Sequence, residues 1–301
     1  MSRDCKSVTP ECPVEATTLG YYPNRPLNIV IAVLFGVAGV IALSLGIRKK
    51  SWSYMSFLVA GCVLELAGYI GRVQMSYNPW NSGAFQLQIC AIILAPTIIC
   101  ISLYLTLKQI TGVINPELSR IRPRLYPLLF CPSDVACLVV QAIGGGLAAS
   151  GKTNLKLLND GNHMIIAGVA LQVVVLLAFG ALCVDYMVRA RRWVRSSEAT
   201  DGARALWADK RFRTFRVTTM VAYAAVQIRC IYRIVEFAGG WGNHIMQDQP
   251  SFVVLDSFLM LICVFLLACF PPDIFVRVNS ATAGGESSAE ETKASSPVPE
   301  A

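Results

Sequence analysis

Seven apolar runs, each about as long as a bilayer is thick, constrain this chain more than any other feature. A hydrocarbon core of about 30 Å is crossed by about 20 helical residues. Composition agrees, because 54% of the residues are apolar and only 15% are charged, against about 25% in an average soluble domain. We therefore predict an all-α membrane protein with seven transmembrane helices. The predicted spans are approximately residues 27–47, 54–72, 85–107, 125–148, 164–188, 214–238 and 252–270.

Lysine and arginine are concentrated in alternate connections between the predicted spans. The segments 48–53, 108–124 and 189–213 are rich in them, whereas the segment 239–251 has none. Since short cytoplasmic loops carry the excess of Lys and Arg, we predict that the N-terminus lies outside and the C-terminus lies in the cytoplasm. The net charge of +7 is assigned mostly to this anchoring, and no nucleic-acid partner is expected.

Both ends of the chain differ in composition from the region between them. Residues 1–26 lack the continuous apolar region of a cleavable signal, so we expect them to remain as an outer N-terminal segment. Residues 27–272 would form the seven-helix membrane domain. Residues 273–301 are rich in Ser, Ala, Glu, Gly and Pro, a composition that buries too little apolar surface to fold. We predict that they form a disordered cytoplasmic tail.

Polar side chains inside the predicted spans are the main indication of function. A charged side chain at the bilayer centre costs about 2.5–3.5 kcal/mol on insertion scales, and such residues usually face a partner or a cavity. Arg229, Arg233 and Glu236 are spaced at i, i+4 and i+7, which puts them on one helix face and lets the last two pair. Glu65 and Arg72 share a face of the second span. The candidate substrate-binding residues are Glu65, Arg72, Asp134, Gln141, Arg229, Arg233, Glu236 and Asp256.

The depths of these residues predict a polar layer in the outer half of the membrane. Glu65, the charged stripe of the sixth span and Asp256 fall at similar depths, whereas Asp134 lies nearer the midplane. Pro96 and Pro132 interrupt the hydrogen bonding of the third and fourth spans, which favours a polar cavity. Because acids outnumber arginines in the spans, one carboxylate would be protonated or would meet a cationic substrate. The alternative is an ion-pair network that only fixes how the spans dock.

Nucleotide and metal motifs are missing from the sequence. No GxxxxGK[ST] pattern occurs, no CxxC pair resembles a zinc site, and the two histidines, His163 and His244, lie near the ends of predicted spans. We therefore predict no cofactor, no metal and no enzymatic activity, because intramembrane hydrolases commonly need clustered histidines or a nucleophile beside a base. Cys5 and Cys12 could pair with each other, but their spacing alone does not decide it.

Five stretches of sequence occur in order along the predicted spans. They are LELAGYIGR, LAPTIICISLYLTL, DVACLVVQAIGGG, GNHMIIAGVALQ and RCIYRIVEF. This set resembles the fungal lipid-translocating exporters, seven-span proteins linked to aminocholesterol resistance and to export of sphingoid long-chain bases. The likeness extends from about Tyr22 to Pro272. It implies a multi-pass membrane protein of a fungal cell that handles amphipathic lipids or lipid-like toxicants.

Three classes of function are compatible with these observations. The first is a transporter in which a lipid head group meets the polar layer, with membrane lipids or sphingoid bases as substrates. The second is a seven-helix receptor or lipid sensor that does not itself transport, although the chain lacks an Asp-Arg-Tyr sequence after the third span and NPxxY in the seventh. The third is an intramembrane enzyme. We predict the first, in the plasma membrane, with an internal membrane as the alternative.

Overall fold

The computed structural model describes residues 5, 7–49, 52–150, 155–197, 199–240 and 243–271, and most of them are helical. The α-helices are α1 (Arg25–Lys49), α2 (Trp52–Tyr77), α3 (Ser82–Ile114), α4 (Leu125–Ser150), α5 (Leu155–Val194), α6 (Asp201–Ala208), α7 (Lys210–Ala238), α8 (His244–Gln247), α9 (Gln249–Phe252) and α10 (Leu259–Cys269). A π-helix, Val253–Phe258, joins α9 to α10. The predicted disordered tail, residues 273–301, lies outside the described residues.

Among the residues that the structure describes, six helices are long and apolar enough to cross a membrane. Five of them are α1 to α5, and the sixth is the continuous rod of residues 249–269 that α9, the π-helix and α10 form together. The helix α7 has 29 residues and covers the predicted sixth span, but it is not among the six. Its arginines lower its hydropathy, so the seven-span count stays a prediction.

The long helices contact one another in chain order and close into a bundle. Each of α1 to α4 packs against the next helix, α5 packs against α7, α7 against α10, and α10 against α1. The helices α4 and α5 approach each other closely, since a Cβ atom on Gly144 would lie 2.7 Å from the carbonyl oxygen of Gly161. Small residues at this crossing let the two backbones meet.

The two ends of the bundle differ in charge. At one end, Arg120 in the α3–α4 connection donates from Nε to Asp185 of α5 at 2.9 Å, and Tyr186 donates to the Asn115 carbonyl oxygen at 3.3 Å. We call this the basic end, because it carries the connections rich in Lys and Arg. The starts of α1, α3 and α5 lie at the opposite end.

The N-terminal segment packs over the opposite end. A disulfide bond joins Cys5 to Cys12, which answers a question that the sequence leaves open. Trp80, between α2 and α3, donates from its indole N–H to the Cys12 carbonyl oxygen at 3.2 Å. Leu19 is buried in an apolar cluster that includes Phe237 near the end of α7. The segment is therefore attached to the bundle by apolar packing as well as by hydrogen bonds.

The outer surface of the bundle is apolar. Val40 on α1, Leu128 on α4 and Val174 on α5 are 65%, 67% and 60% exposed. A monomeric soluble protein rarely exposes so much contiguous apolar surface, whereas lipid tails solvate it. The chain is thus a multi-pass, membrane-embedded helical protein.

Pro96 and Pro132, which lie well inside their helices, interrupt the backbone hydrogen bonding without ending those helices. Pro96 lies inside α3 and Pro132 lies inside α4, and both helices continue past them. The expected interruption is therefore local, since each proline removes one backbone donor.

Candidate functional site

Four charged side chains meet between α7 and the 249–269 rod. They are Arg229, Arg233, Glu236 and Asp256, and we call them the charged cluster. All four are buried, and the most exposed of them, Arg233, is only 8% accessible. Two guanidinium groups face two carboxylates, so the charges of this cluster can balance.

Asp256 joins the two arginines of the cluster. Its Oδ1 atom lies 2.8 Å from Arg229 Nε and accepts a hydrogen bond of 3.1 Å from Arg233 Nε. Asp256 belongs to the π-helix Val253–Phe258, a rare form of helix that often occurs at functional sites. The π-helix therefore sets the position of the carboxylate that holds both guanidinium groups.

The pairing of Arg233 with Glu236 that the sequence spacing predicts is confirmed. Arg233 donates from Nη1 to Oε2 of Glu236 at 2.7 Å. The helix α7 ends at Ala238, and Asn243 donates from its amide to the Glu236 carbonyl oxygen at 2.6 Å. Both the side chain and the backbone of Glu236 are thus held in place.

Arg229 has a second acceptor, which a proline provides. An α-helical residue at position 96 would donate its N–H to the carbonyl oxygen of Ile92, and Pro96 has no N–H to donate. Arg229 instead donates from Nη2 to that oxygen at 2.5 Å. Such a freed carbonyl needs another partner in a membrane, and the guanidinium group supplies it. Arg229 therefore links α3, α7 and the 249–269 rod.

Arg72 is buried beside the cluster and is held by neutral groups. It donates from Nε to Asn28 Oδ1 at 3.2 Å and from Nη2 to the hydroxyl oxygen of Tyr21 at 2.9 Å. Its guanidinium carbon lies 4.0 Å from the centre of the Phe252 ring, and that of Arg233 lies 5.4 Å from the same ring. Phe252 is therefore the aromatic contact shared by the two arginines.

Glu65 on α2 faces the cluster without a hydrogen bond to it. The side chain is 1% exposed, and neither carboxylate oxygen has a hydrogen-bond partner among the described residues. The charges that act on it include those of Arg229, Arg233 and Asp256. A buried carboxylate without partners is costly, so Glu65 is the group at this site most in need of a cation or a proton.

Asp134 lies apart from the charged cluster. Its Oδ2 atom accepts a hydrogen bond of 2.6 Å from Tyr104 on α3, and the Tyr104 ring packs against Phe130 and Phe179. Asp134 makes no ion pair within the described part of the chain. The structure thus places this candidate in a separate aromatic region between α3, α4 and α5.

Gln141 connects with the cluster through a small cavity. It donates to Gln172 Oε1 at 3.1 Å, and Gln172 donates to Thr97 at 2.9 Å, next to Pro96. Gln141 and Gln172 line a cavity of about 20 Å³ together with Arg229 and Arg233. This volume suits about one water molecule. This small cavity lies near α3, but neither proline nor any carboxylate lines it, so the polar cavity beside the prolines stays a prediction.

Several partners of the site residues are absent from the set that sequence reasoning selected. Tyr21, Asn28 and Phe252 each contact Arg72, and the carbonyl oxygen of Ile92 binds Arg229. Only the last had a local signal, because a proline frees the carbonyl oxygen four residues before it. The other contacts depend on how separate helices are rotated, which the sequence pattern does not specify.

No metal site is evident in the described ranges. There, no group of three or more His, Cys, Asp or Glu side chains is arranged to hold a metal ion.

Comparison with known families decides which family the chain falls in. The family model described as "RTA1 like protein" matches residues 58–279, which include every helix from α3 to α10 and most of α2. The chain belongs to the RTA1-like family. The match covers all of the charged cluster, together with Glu65 and Arg72, so these residues lie within the part of the chain that the family shares.

Relatives in the RTA1-like family come from the yeast Saccharomyces cerevisiae. The protein named "Sphingoid long-chain base transporter RSB1" is 28% identical over 286 residues, covering 87% of this chain and 75% of the relative. "Protein RTM1" is 26% identical, covering 80% and 77%, and "Protoporphyrin uptake protein 1" is 28% identical, covering 77% and 73%. No solved structure matches this RTA1-like chain.

Proposed function

We propose that this chain exports or translocates amphipathic lipids or lipid-like toxicants, with Glu65 and the charged cluster as the head-group site. The observation that carries the proposal is Glu65, a buried carboxylate with no hydrogen bond to the described residues. The nearby arginines are already engaged by Asp256, Glu236 and the Ile92 carbonyl oxygen. Glu65 is therefore the acid at this site that a cationic head group can engage.

The chemistry of the site favours an amine head group over a phosphate. An ammonium group offers three donors and one positive charge, which would satisfy both oxygens of Glu65 and neutralise its charge in a low-dielectric environment. A phosphate would have to displace a carboxylate from Arg229 or Arg233. The alkyl chain of an amphiphile would remain among the apolar faces of the spans. A sphingoid base fits this description, so we propose it as the substrate class.

The names of the relatives support transport of amphiphiles. One relative is named a sphingoid long-chain base transporter and another a protoporphyrin uptake protein. Neither name is that of an enzyme, and we propose no enzymatic activity for this chain. The experiment below addresses the substrate and the direction of transport.

We further propose that α7 is a seventh span, with the N-terminus outside and the C-terminus in the cytoplasm. The charges of α7 at Arg229, Arg233 and Glu236 are buried within the bundle and need not face lipid. Disulfides form in oxidising compartments, so the Cys5–Cys12 bond supports an outer position for residues 1–26. Residues 27–272 would then be the membrane domain and residues 273–301 the cytoplasmic tail, in the plasma membrane.

The test is export of a labelled sphingoid base from fungal cells with low background export. Cells express the wild type, Glu65→Gln or Glu117→Gln at matched surface abundance. Glu117 is exposed in the connection between α3 and α4, so it controls for loss of one acidic charge. We expect Glu65→Gln to abolish most of the export and Glu117→Gln to leave it unchanged.

Equal export by wild type and Glu65→Gln would remove Glu65 from the mechanism. Absence of export by the wild type, with correct surface abundance, would contradict this substrate. Sphingoid-base binding without flux would then favour the sensor hypothesis.

A further inference from the structure

An apolar pocket lies between α3, α5 and α7 toward the basic end, away from the charged cluster. Its volume is about 100 Å³, of the same order as an engineered apolar cavity of about 150 Å³ that binds benzene. Leu103, Leu107, Phe179 and Met220 contribute to its wall. The pocket is therefore large enough for part of an alkyl chain.

Tyr223 and Arg216 form the two ends of this pocket. Tyr223 packs against Gly180, where a Cβ atom would lie 2.1 Å from the tyrosine hydroxyl, and it donates to the Leu176 carbonyl oxygen at 3.0 Å. Arg216 lies seven residues earlier on α7, which corresponds to about 10 Å along the helix. The pocket is thus a slot parallel to α7, with a cation at its basic end.

The slot opens to the outer surface of the bundle. Val184 on α5 and Met220 on α7 line it and are 49% and 54% exposed. These residues belong to the apolar surface that faces lipid tails. An alkyl chain can therefore enter sideways from the bilayer without crossing the charged cluster, and the rest of the chain can continue along the apolar outer surface.

Unlike Arg229 and Arg233, Arg216 has no acidic partner among the described residues. Its Nε atom is buried without a hydrogen-bond partner in the described residues, and no carboxylate among them lies within ion-pair distance. The charged groups that act on it are two other arginines, Arg191 and Arg213. The surroundings of Arg216 are therefore positive, and its guanidinium donors suit a carboxylate or a phosphate.

Aromatic rings hold the guanidinium group of Arg216 in place. Its central carbon lies 3.9 Å from the centre of the Trp207 ring on α6 and 5.1 Å from that of Phe212. Stacking of this kind fixes the plane of the group while leaving its N–H edge free to bind an anion. The arrangement resembles the head-group end of an amphiphile site, with the tail region already formed beside it.

We propose that this pocket binds an anionic single-chain amphiphile, with a carboxylate or phosphate monoester on Arg216 and its alkyl chain in the slot. The inference goes beyond the proposed export function. The site lies about 25 Å along α7 from Arg233 and selects the opposite head-group charge. A cationic sphingoid base would be repelled by Arg191, Arg213 and Arg216.

The experiment uses the purified full-length protein in lipid nanodiscs and a palmitate probe with a diazirine on its alkyl chain. After illumination, mass spectrometry maps the labelled peptides. Competitors share a sixteen-carbon chain and differ in head group: palmitate, hexadecyl phosphate, hexadecylamine and hexadecanol. We expect labelling of the α5 and α7 segments that line the slot. Palmitate or hexadecyl phosphate should compete at least about tenfold better than the amine or the alcohol, and the better of the two identifies the head group.

Three variants sharpen the test. Arg216→Gln should lower labelling at least about tenfold, whereas Arg211→Gln, which removes an exposed charge five residues earlier on α7, should leave most of it. Cys183→Trp fills the slot without altering charge and should also abolish labelling. Competition in the wild type needs no variant, so it decides the matter even where a variant fails to fold. Equal competition by all four head groups, or equal labelling of the two arginine variants, would overturn the proposal.

Discussion

The helix α7 carries arginines in two opposite situations. Near the end of the bundle that lies opposite the basic end, Arg229 and Arg233 are buried, and both lie within 3.1 Å of Asp256. Toward the basic end, Arg216 is only partly buried, stacks on Trp207 and has no carboxylate within ion-pair distance among the described residues. The first pair is neutralised by the protein itself, whereas Arg216 retains its capacity to bind an anion.

This difference separates structural charge from charge that is available to a ligand. A buried arginine whose partners are all protein groups costs several kcal/mol to disturb, because removing one partner leaves an orphan charge. Replacing an arginine that only stacks on an aromatic ring lowers the free energy of unfolding by little. Effects on folding and effects on binding should therefore fall on different arginines of the same helix.

The largest effect is expected at Asp256. Asp256→Asn removes the negative charge shared by Arg229 and Arg233 and should lower stability by about 3–5 kcal/mol. The measurement is the thermal unfolding midpoint of the purified protein, with the amount of folded protein as a second readout. The control is Asp201→Asn. Asp201 is 99% exposed in its contact with Arg204, so this substitution should leave the midpoint almost unchanged. Equal midpoints for the two variants would show that the cluster is solvated.

A direct comparison of two arginine variants comes next. Arg233→Gln leaves Glu236 without its cation and should destabilise the protein by about 3 kcal/mol. Arg216→Gln removes a stacking contact and should cost about 1 kcal/mol or less. Unfolding midpoints measured under the same detergent conditions check both values. A larger loss from Arg216→Gln would mean that its charge is structural, contrary to the comparison above.

Arg72 lies between these extremes, because it is buried but held by neutral groups. Tyr21→Phe removes the hydroxyl that accepts from Arg72 Nη2 at 2.9 Å, and we expect a cost of about 1–3 kcal/mol. The matched control is Tyr22→Phe, since Tyr22 is 49% exposed. Amide hydrogen exchange in residues 12–22 should rise in the Tyr21 variant alone, because Arg72 ties this segment to α2.

The smallest effect is expected at the surface of the basic end. Arg120→Gln breaks the contact with Asp185, but Asp185 keeps Arg189 at 3.0 Å, and both arginines are well exposed to solvent. The change in unfolding midpoint should be slight and should vanish in high salt, where exposed charges are screened. A salt-independent loss would contradict this account.

Much of the fold was predictable because its physical cause is local. The length of each apolar run predicts a spanning helix, and the spacing of Arg233 and Glu236 predicts their ion pair. Contacts between helices were not predictable in this way. Phe252 lies against Arg72 because of how two separate helices are rotated, and Asp134 pairs with Tyr104 rather than with an arginine for the same reason.

Proline gave partial information about the site. The position of Pro96 specifies which carbonyl oxygen is freed, but it does not specify that Arg229 will bind that oxygen. The hydropathy pattern of α7 was also ambiguous, because the charged residues that indicate function are the ones that weaken its signal as a span. Sequence reasoning is therefore weakest where the function is expected.

Because of the π-helix Val253–Phe258, the position of Asp256 depends on the number of residues in this part of the chain. Each residue of an α-helix turns the chain by about 100°, and a π-helix accommodates one extra residue without turning the rest of the span. In terms of side chains, deleting Val254 would remove only one that faces outward and is 56% exposed. In terms of the backbone, the deletion would turn the π-helix into an α-helix and move Asp256 away from both arginines. The loss of one residue would therefore act more severely than most substitutions.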